Sequence, residues 1–205
     1  MYDVKMRRVV LIDGENLVYG IRTLLADAQG KRAAREIIQG FDFRGLLEEL
    51  LSDNKPVEIL WFGARLQRYD MTDELREKSE RYIRNQAKFM NHIQQQKIQF
   101  IKVGYLRARE LDPCQQCQHA SWKLTEKGVD VGLAVRAVVE ASEDTELVIV
   151  SADTDLLPAL QQAKKRGARL IHVGYEYRPI AALSRAADIT RTITLPLAQK
   201  YVGST

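Results

Sequence analysis

The chain has 205 residues, 45% hydrophobic and 28% charged, a globular balance with enough apolar material for a sizeable core. A net charge of +4 is compatible with a nucleic-acid partner without requiring one, and two cysteines are too few for a disulfide framework. The first apolar run stops at Asp13, too short for an export signal or a membrane span, and no later run is long enough to span, so a cytoplasmic protein without membrane association is expected.

Arg8 to Ile12 is an apolar, β-branched run that fits a strand buried on both faces. It ends in a polar turn, Asp13-Gly14-Glu15-Asn16, after which Leu17, Ile21, Leu24 and Leu25 recur at helical spacing. A second helix opens at Asp42 or Phe43, and Val57 to Phe62 reads as a strand that runs out at Gly63-Ala64-Arg65. Tyr69 to Gln96 is long and charged with a thin apolar stripe, one helix or two. Ile98 to Val103 is the next strand, and Arg107 to Lys123 reads as irregular. Glu126 to Glu140 is helical, with Val131, Val135 and Val138 on one face and Val139 nearby.

Leu147 to Val150 is another buried-strand run, followed at once by Ser151-Ala152-Asp153-Thr154-Asp155. Leu156, Leu157, Leu160 and Ala163 then recur helically, with Pro158 tolerated in the first turn. Arg169 to Val173 is a strand, Pro179 to Ala187 a short helix and Ile189 to Leu195 a last strand. This alternation predicts an α/β fold: a doubly wound, mostly parallel sheet of about six strands with helices on both faces. One domain over 1–205 is expected, with a helical excursion near 69–96 and a Cys-containing loop near 107–123.

The chemistry lies at strand ends. Asp13, Asp153 and Asp155 each follow a strand, and Asp130 lies near the start of a helix. An aspartate in such a place is either a helix N-cap or a ligand. Gathered carboxylates hold a cation or share a proton, and an all-oxygen set favours Mg²⁺ or Mn²⁺. Asn16 is placed to orient a phosphate oxygen or a water. Arg65, just past its strand, and then Lys127 are the leading phosphate contacts. Tyr69, Tyr82 and Trp122 are the aromatics considered for base stacking.

The basic residues of the long helix otherwise read as a solvated face paired with Asp73, Glu74, Glu77 and Glu80. Cys114-Gln-Gln-Cys117-Gln-His119 has the spacing of half a zinc site, short of a fourth ligand, and is balanced against ordinary reduced thiols.

Asp13-Gly14-Glu15-Asn16 after a strand, Lys127-Gly128-Val129-Asp130 opening a helix, and Ser151-Ala152-Asp153-Thr154-Asp155 before Leu-Leu-Pro resemble the three signature blocks of the NYN domain. That domain belongs to the PIN-like nuclease superfamily, and the pattern resembles its LabA-like branch. The blocks occur in the family's order from about Arg7 to Leu195. The resemblance implies a metal-binding acidic set of Asp13, Asp130, Asp153 and Asp155, with Asn16 as the polar site residue. It further implies Mg²⁺- or Mn²⁺-dependent cleavage of RNA. Ser151 takes the place of the family's small hydroxyl beside the acidic pair, counted with Arg65 and Lys127 on the substrate side. Asp188 resembles a recurrent Ala-Asp with a structural role. Two functions follow as expectations: a ribonuclease acting on single-stranded RNA, or a non-catalytic RNA- or protein-binding module of the same fold. A homo-oligomer is compatible with either.

Overall fold

The computed structural model describes residues 6–30, 36–52, 57–113, 115–117 and 121–203, without the side chains of 27–29. In chain order the elements are β1 (Arg7–Asp13), α1 (Gly14–Gln29), α2 (Phe43–Leu51), β2 (Val57–Arg65), α3 (Asp73–Gln95), β3 (Gln99–Glu110), β4 (Trp122–Lys127) and α4 (Val129–Glu140). There follow β5 (Thr145–Val150), a 3-10 turn (Thr154–Leu156), α5 (Leu157–Lys165), β6 (Arg169–Tyr175), α6 (Ala181–Ala186), β7 (Ile189–Ile193) and α7 (Leu195–Lys200). The strands form one sheet in the order β4-β3-β2-β1-β5-β6-β7. Every neighbouring pair is parallel except β3 with β4.

The central strand shows why the sheet is covered on both sides. Val10 and Ile12 pack with Leu17 of α1, Leu46 of α2 and Ala198 of α7. Their neighbours Val9 and Leu11 point the other way, onto Leu133 of α4 and Leu160 of α5. The period-two alternation of strand side chains thus feeds two cores at once, as a doubly wound sheet requires. At the amino end of β1, Arg8 lies opposite Glu146 of β5 and forms an ion pair with it, both side chains almost fully buried.

Several expectations change. Arg107–Lys123 is not irregular throughout: β3 runs on to Glu110, and β4 returns antiparallel beside it, giving seven strands among the described residues. The returning strand, WKLTEK, buries only Leu124 among its residues, so its alternation was too faint to read. The following helix therefore starts at Val129, after Gly128 turns the chain with φ +78°. On α4 the face carrying Val131, Val135 and Val139 is exposed, while Leu133 and Ala137 face the core. The last strand stops at Ile193, because Thr194 caps a closing helix with Pro196 in its first turn.

Tyr69–Gln96 contains one continuous helix, capped by Thr72 through the backbone N–H of Leu75. Its start and the β3–β4 hairpin share a small third core of Leu75, Leu106 and Leu124. No helix among the described residues is long and apolar enough to cross a membrane.

Candidate active site

The chain steps outward from β1 to β2 and β3, then returns to the other flank of β1 and steps outward again through β5, β6 and β7. The reversal opens a crevice between the carboxyl ends of β1 and β5, the place where open α/β sheets bind ligands. Ile12 pairs with Val150, so Asp13 and Ser151 leave the sheet side by side.

Each acidic loop is locked by its own helix start. Asp13 caps α1: its Oδ1 accepts from the backbone N–H of Asn16 at 3.1 Å. Asp153 caps the 3-10 turn, its Oδ1 accepting from the backbone N–H of Asp155 at 2.9 Å. Ser151 joins the loops. Its hydroxyl donates to Asp13 Oδ2 at 3.2 Å and accepts from the backbone N–H of Asp153 at 3.1 Å. Asn16 adds a second tie, its Oδ1 accepting from the backbone N–H of Ala152 at 3.1 Å. Below them, the buried His172 donates from Nε2 to the Ser151 carbonyl at 3.0 Å, and burial pushes its pKa below the ordinary value. The Tyr175 hydroxyl donates to the Asn16 carbonyl at 3.2 Å.

The electrostatics mark this crevice as a place of crowded negative charge. Burial pushes the Asp13 carboxyl above its ordinary value, and the charges of Asp153 and Glu15 add to the shift; the bonds from Asn16 and Ser151 oppose it. Glu126, near the end of β4, is raised for the same first reason, burial, with Glu15 and Asp13 adding to it. Its Oε2 accepts the backbone N–H of Ala64 at 3.3 Å. That donor lies where the β2–β3 register shifts, between Gly63 and Arg65, and the Ala64 carbonyl is held from the other side by the Gln86 amide at 2.9 Å. Glu126 therefore fixes the end of β2 from which Arg65 emerges.

Glu15 and Glu126 were not singled out from sequence. Each stands inside or one residue from a motif block, and only the hairpin carrying Glu126 reveals its place.

The other predicted residues fall as follows. Asp130 lies in the first turn of α4 and Asp155 in the 3-10 turn; both are exposed, and neither side chain bonds to Asp13 or Asp153. Helix α4 packs against the 3-10 turn, so the two share the carboxyl edge. Arg65 and Lys127 end β2 and β4 and are exposed at that edge. Ser151 is fully buried, with its hydroxyl engaged by Asp13 and by the backbone N–H of Asp153. Tyr69 donates to the Leu106 carbonyl and packs with Trp122 on the third core, so both serve the fold. Asp188 accepts the backbone N–H of Leu170 at 2.8 Å and pairs with Lys164 at 2.7 Å, a structural role.

Comparison with known proteins decides the family. The NYN domain matches residues 7–195. The chain belongs to the NYN family. A crystal structure of a Vibrio parahaemolyticus protein of unknown function superposes on this NYN domain with a TM-score of 0.56 at 15% identity, covering 94% of this chain and 96% of the other. That likeness speaks for the fold alone. Among curated proteins, none matches the sequence significantly.

For a divalent cation the donor chemistry fits, since among the described residues the crevice gathers carboxylate and amide oxygens, and a cation there would oppose the burial, and the added charges of Asp153 and Glu15, that raise Asp13. The described residues do not pre-form a cage: no three of His, Cys, Asp and Glu are grouped to hold a metal ion. Mg²⁺ characteristically needs only one or two carboxylates, completing its shell with water and substrate phosphate.

For the zinc expectation, Cys114 and His119 lie outside the described residues, and Cys117 is a free, exposed thiol. His92 is engaged at the Phe41 carbonyl and His172 at the Ser151 carbonyl.

Proposed function

We propose that this NYN domain is a metal-dependent ribonuclease of the LabA-like branch, a cytoplasmic enzyme hydrolysing phosphodiester bonds of single-stranded RNA. The observation that carries the reading is the Ser151 bridge. One buried hydroxyl holds Asp13 and Asp153 together across the switch point, although their charges repel. A fold that maintains such a pair gains from the cation that relieves it. Asp13 and Asp153 are the central ligands, with Asp130 and Asp155 beside them at the edge. A bound Mg²⁺ or Mn²⁺ supplies positive charge to the phosphodiester and acidifies the attacking water.

The protein's own groups do the rest. Arg65 and Lys127 hold flanking phosphates, and the Asn16 side-chain amide N–H₂, which makes no hydrogen bond among the described residues, orients a phosphate oxygen. Water attacks phosphorus in line, the P–O bond to the departing ribose oxygen breaks, and that oxygen takes up a proton. The helix starts at Asp13 and Asp153 aim partial positive charge into the same crevice.

The test is cleavage of a labelled single-stranded RNA in Mn²⁺, Mg²⁺ or EDTA, by wild type, Asp13→Asn and Asp153→Asn. Cleavage should need the metal and should fall on the order of 10²–10³-fold in either variant, the loss typical of removing a preorganised electrostatic group. Both variants cutting as well as wild type would sink the site assignment. One observation favours the second reading, a non-catalytic NYN module: the absence of a pre-formed three-ligand cluster among the described residues. RNA retained but not cut under every metal condition would establish that reading instead.

A further inference from the structure

Beside the acidic crevice, on the α1 and β6 side, stand two tyrosines that nothing above employs. Tyr19 is 64% exposed and Tyr177 is 40% exposed. Tyr19 follows Glu15 by four residues on α1, so it shares a helix face with that carboxylate, about 6 Å further along the axis. Tyr177 lies in the turn that leaves the carboxyl end of β6, pinned by the Tyr175–Arg178 bridge.

The Tyr177 ring is not a loose surface side chain. The Tyr177 ring lies 5.7 Å from that of Tyr175 at an interplanar angle of 32°. Tyr177 lies near Thr23, whose hydroxyl donates to the Tyr19 carbonyl at 2.9 Å. Tyr175, the base of the stack, is buried against Gly20, where even an added Cβ would stand 2.3 Å from the ring. The same Tyr175 donates to Asn16 and lies within the electrostatic reach of Asp13. The aromatic group is thus built onto the loop that carries the central carboxylate.

Arg178 follows directly. It is exposed, has no ion-pair partner among the described residues, and acts electrostatically on Tyr177. Two exposed rings, that of Tyr177 packed on Tyr175, with a guanidinium that has no ion pair among the described residues, beside the acidic crevice, match the chemistry of an unstacked nucleotide: base on ring, phosphate on cation. Leaving two such rings in water has no return within the monomer.

We propose that Tyr19 and Tyr177, with Arg178, form a base-stacking subsite that holds one or two nucleotides of single-stranded RNA beside the acidic crevice. This rests on the nuclease reading for its choice of ligand. The subsite recognises bases without discriminating among them, because every base offers a π-face. It gives the site a preference for unpaired strands, since bases in a duplex have no free face to offer.

The experiment measures binding of two labelled single-stranded RNAs of equal length, one with bases and one abasic, in EDTA to prevent cleavage. Wild type should prefer the RNA with bases. Tyr19→Ala/Tyr177→Ala should bind that RNA about ten-fold more weakly, the loss expected for a stacked base, and bind the abasic RNA unchanged. Tyr19→Phe/Tyr177→Phe should keep most of the preference, which separates stacking from loss of the hydroxyls, and Tyr82→Ala, an exposed ring on α3, should have no effect. Equal binding of the RNA with bases by wild type and the double alanine variant, both folded by thermal unfolding, would overturn the subsite while leaving the nuclease reading intact. Wild type that neither binds nor cuts RNA would overturn both.

Discussion

Ser151→Ala is the sharpest perturbation of this site, because it removes one oxygen and almost no volume. The hydroxyl donates to Asp13 and accepts from the backbone N–H of Asp153, and the residue is fully buried. A hydrogen bond to a charged acceptor contributes about 1.5–3 kcal/mol, and an unsatisfied buried N–H costs about 1–3 kcal/mol. The Asp153 loop is only half-buried, so water recovers part of the second cost. The variant should lose about 2–4 kcal/mol. For a chain of 205 residues, at about 3 °C per kcal/mol, Tm should fall by about 6–12 °C.

The loss has a pH signature. The Ser151 bond is one of two that hold the Asp13 pKa down against burial. Without it the carboxyl rises further, and the added penalty exists only where Asp13 is ionised. The deficit should be full near neutral pH and shrink as pH falls through the folded-state value toward the ordinary aspartate value of 3.8. Circular-dichroism melts of wild type and Ser151→Ala across that range check it. A Tm loss under about 1 °C, or a deficit independent of pH, would refute the bridge as the element holding the acidic pair.

Further outcomes follow from the same geometry. Asp13→Asn keeps the cap acceptor and removes a charge held above its ordinary pKa. It should therefore stabilise the metal-free protein by about 0.5–2 kcal/mol at neutral pH, and the gain should vanish near pH 4; a lower Tm at pH 7 counts against crowding. Glu146→Ala leaves Arg8 charged and buried at the opposite end of the sheet, at a cost of about 3–5 kcal/mol, seen as a large drop in Tm with residual RNA cleavage in proportion to the folded fraction. Gly104→Ala places a Cβ 2.1 Å from the Lys127 carbonyl at φ +63°, so the β3–β4 hairpin must shift. Weaker RNA binding with an intact α1 and β5 is the expected readout, and unchanged binding would remove Lys127 from the interface.

The parts of the fold that were legible were those where one residue type repeats under one constraint. Val9 to Ile12 and Leu147 to Val150 are buried on both faces, and that burial writes itself as an unbroken apolar run. The β4 strand was hidden because an edge strand buries little: of its residues only Leu124 is buried. The same concealment took Glu126 with it. As the first residue of an expected helix it carried no message, whereas near the end of a hairpin it meets Ala64 and feels the charge of Asp13. Tyr19 and Tyr177 lie near opposite ends of the sequence, and nothing short of the β1–β5–β6 order brings α1 and the turn after β6 to one edge. Tyr69 and Trp122 were the misleading aromatics: they occupy a small core that the sequence pattern did not announce.

Capping and ligand roles, between which the sequence left the aspartates open, are compatible in this geometry. Asp13 spends Oδ1 on the cap of α1 and turns Oδ2 toward Ser151, and Asp153 spends Oδ1 on the 3-10 turn. An ionised carboxylate has about four lone-pair sites, so a cap uses only a fraction of its accepting capacity. Capping also fixes the side-chain rotamer, which a ligand must have before the cation arrives if binding is not to be weakened by ordering it. The helix start then contributes its own positive end against the repulsion of the paired acids. Helix initiation and charge concentration therefore occupy the same residues because each lowers the cost of the other. It follows that Asp153→Ser, which preserves an N-cap oxygen but no charge, should keep the 3-10 turn and stay within about 1 kcal/mol of wild-type stability while losing metal-dependent cleavage. Undiminished RNA cleavage by Asp153→Ser would show that Asp153 is a cap and nothing more.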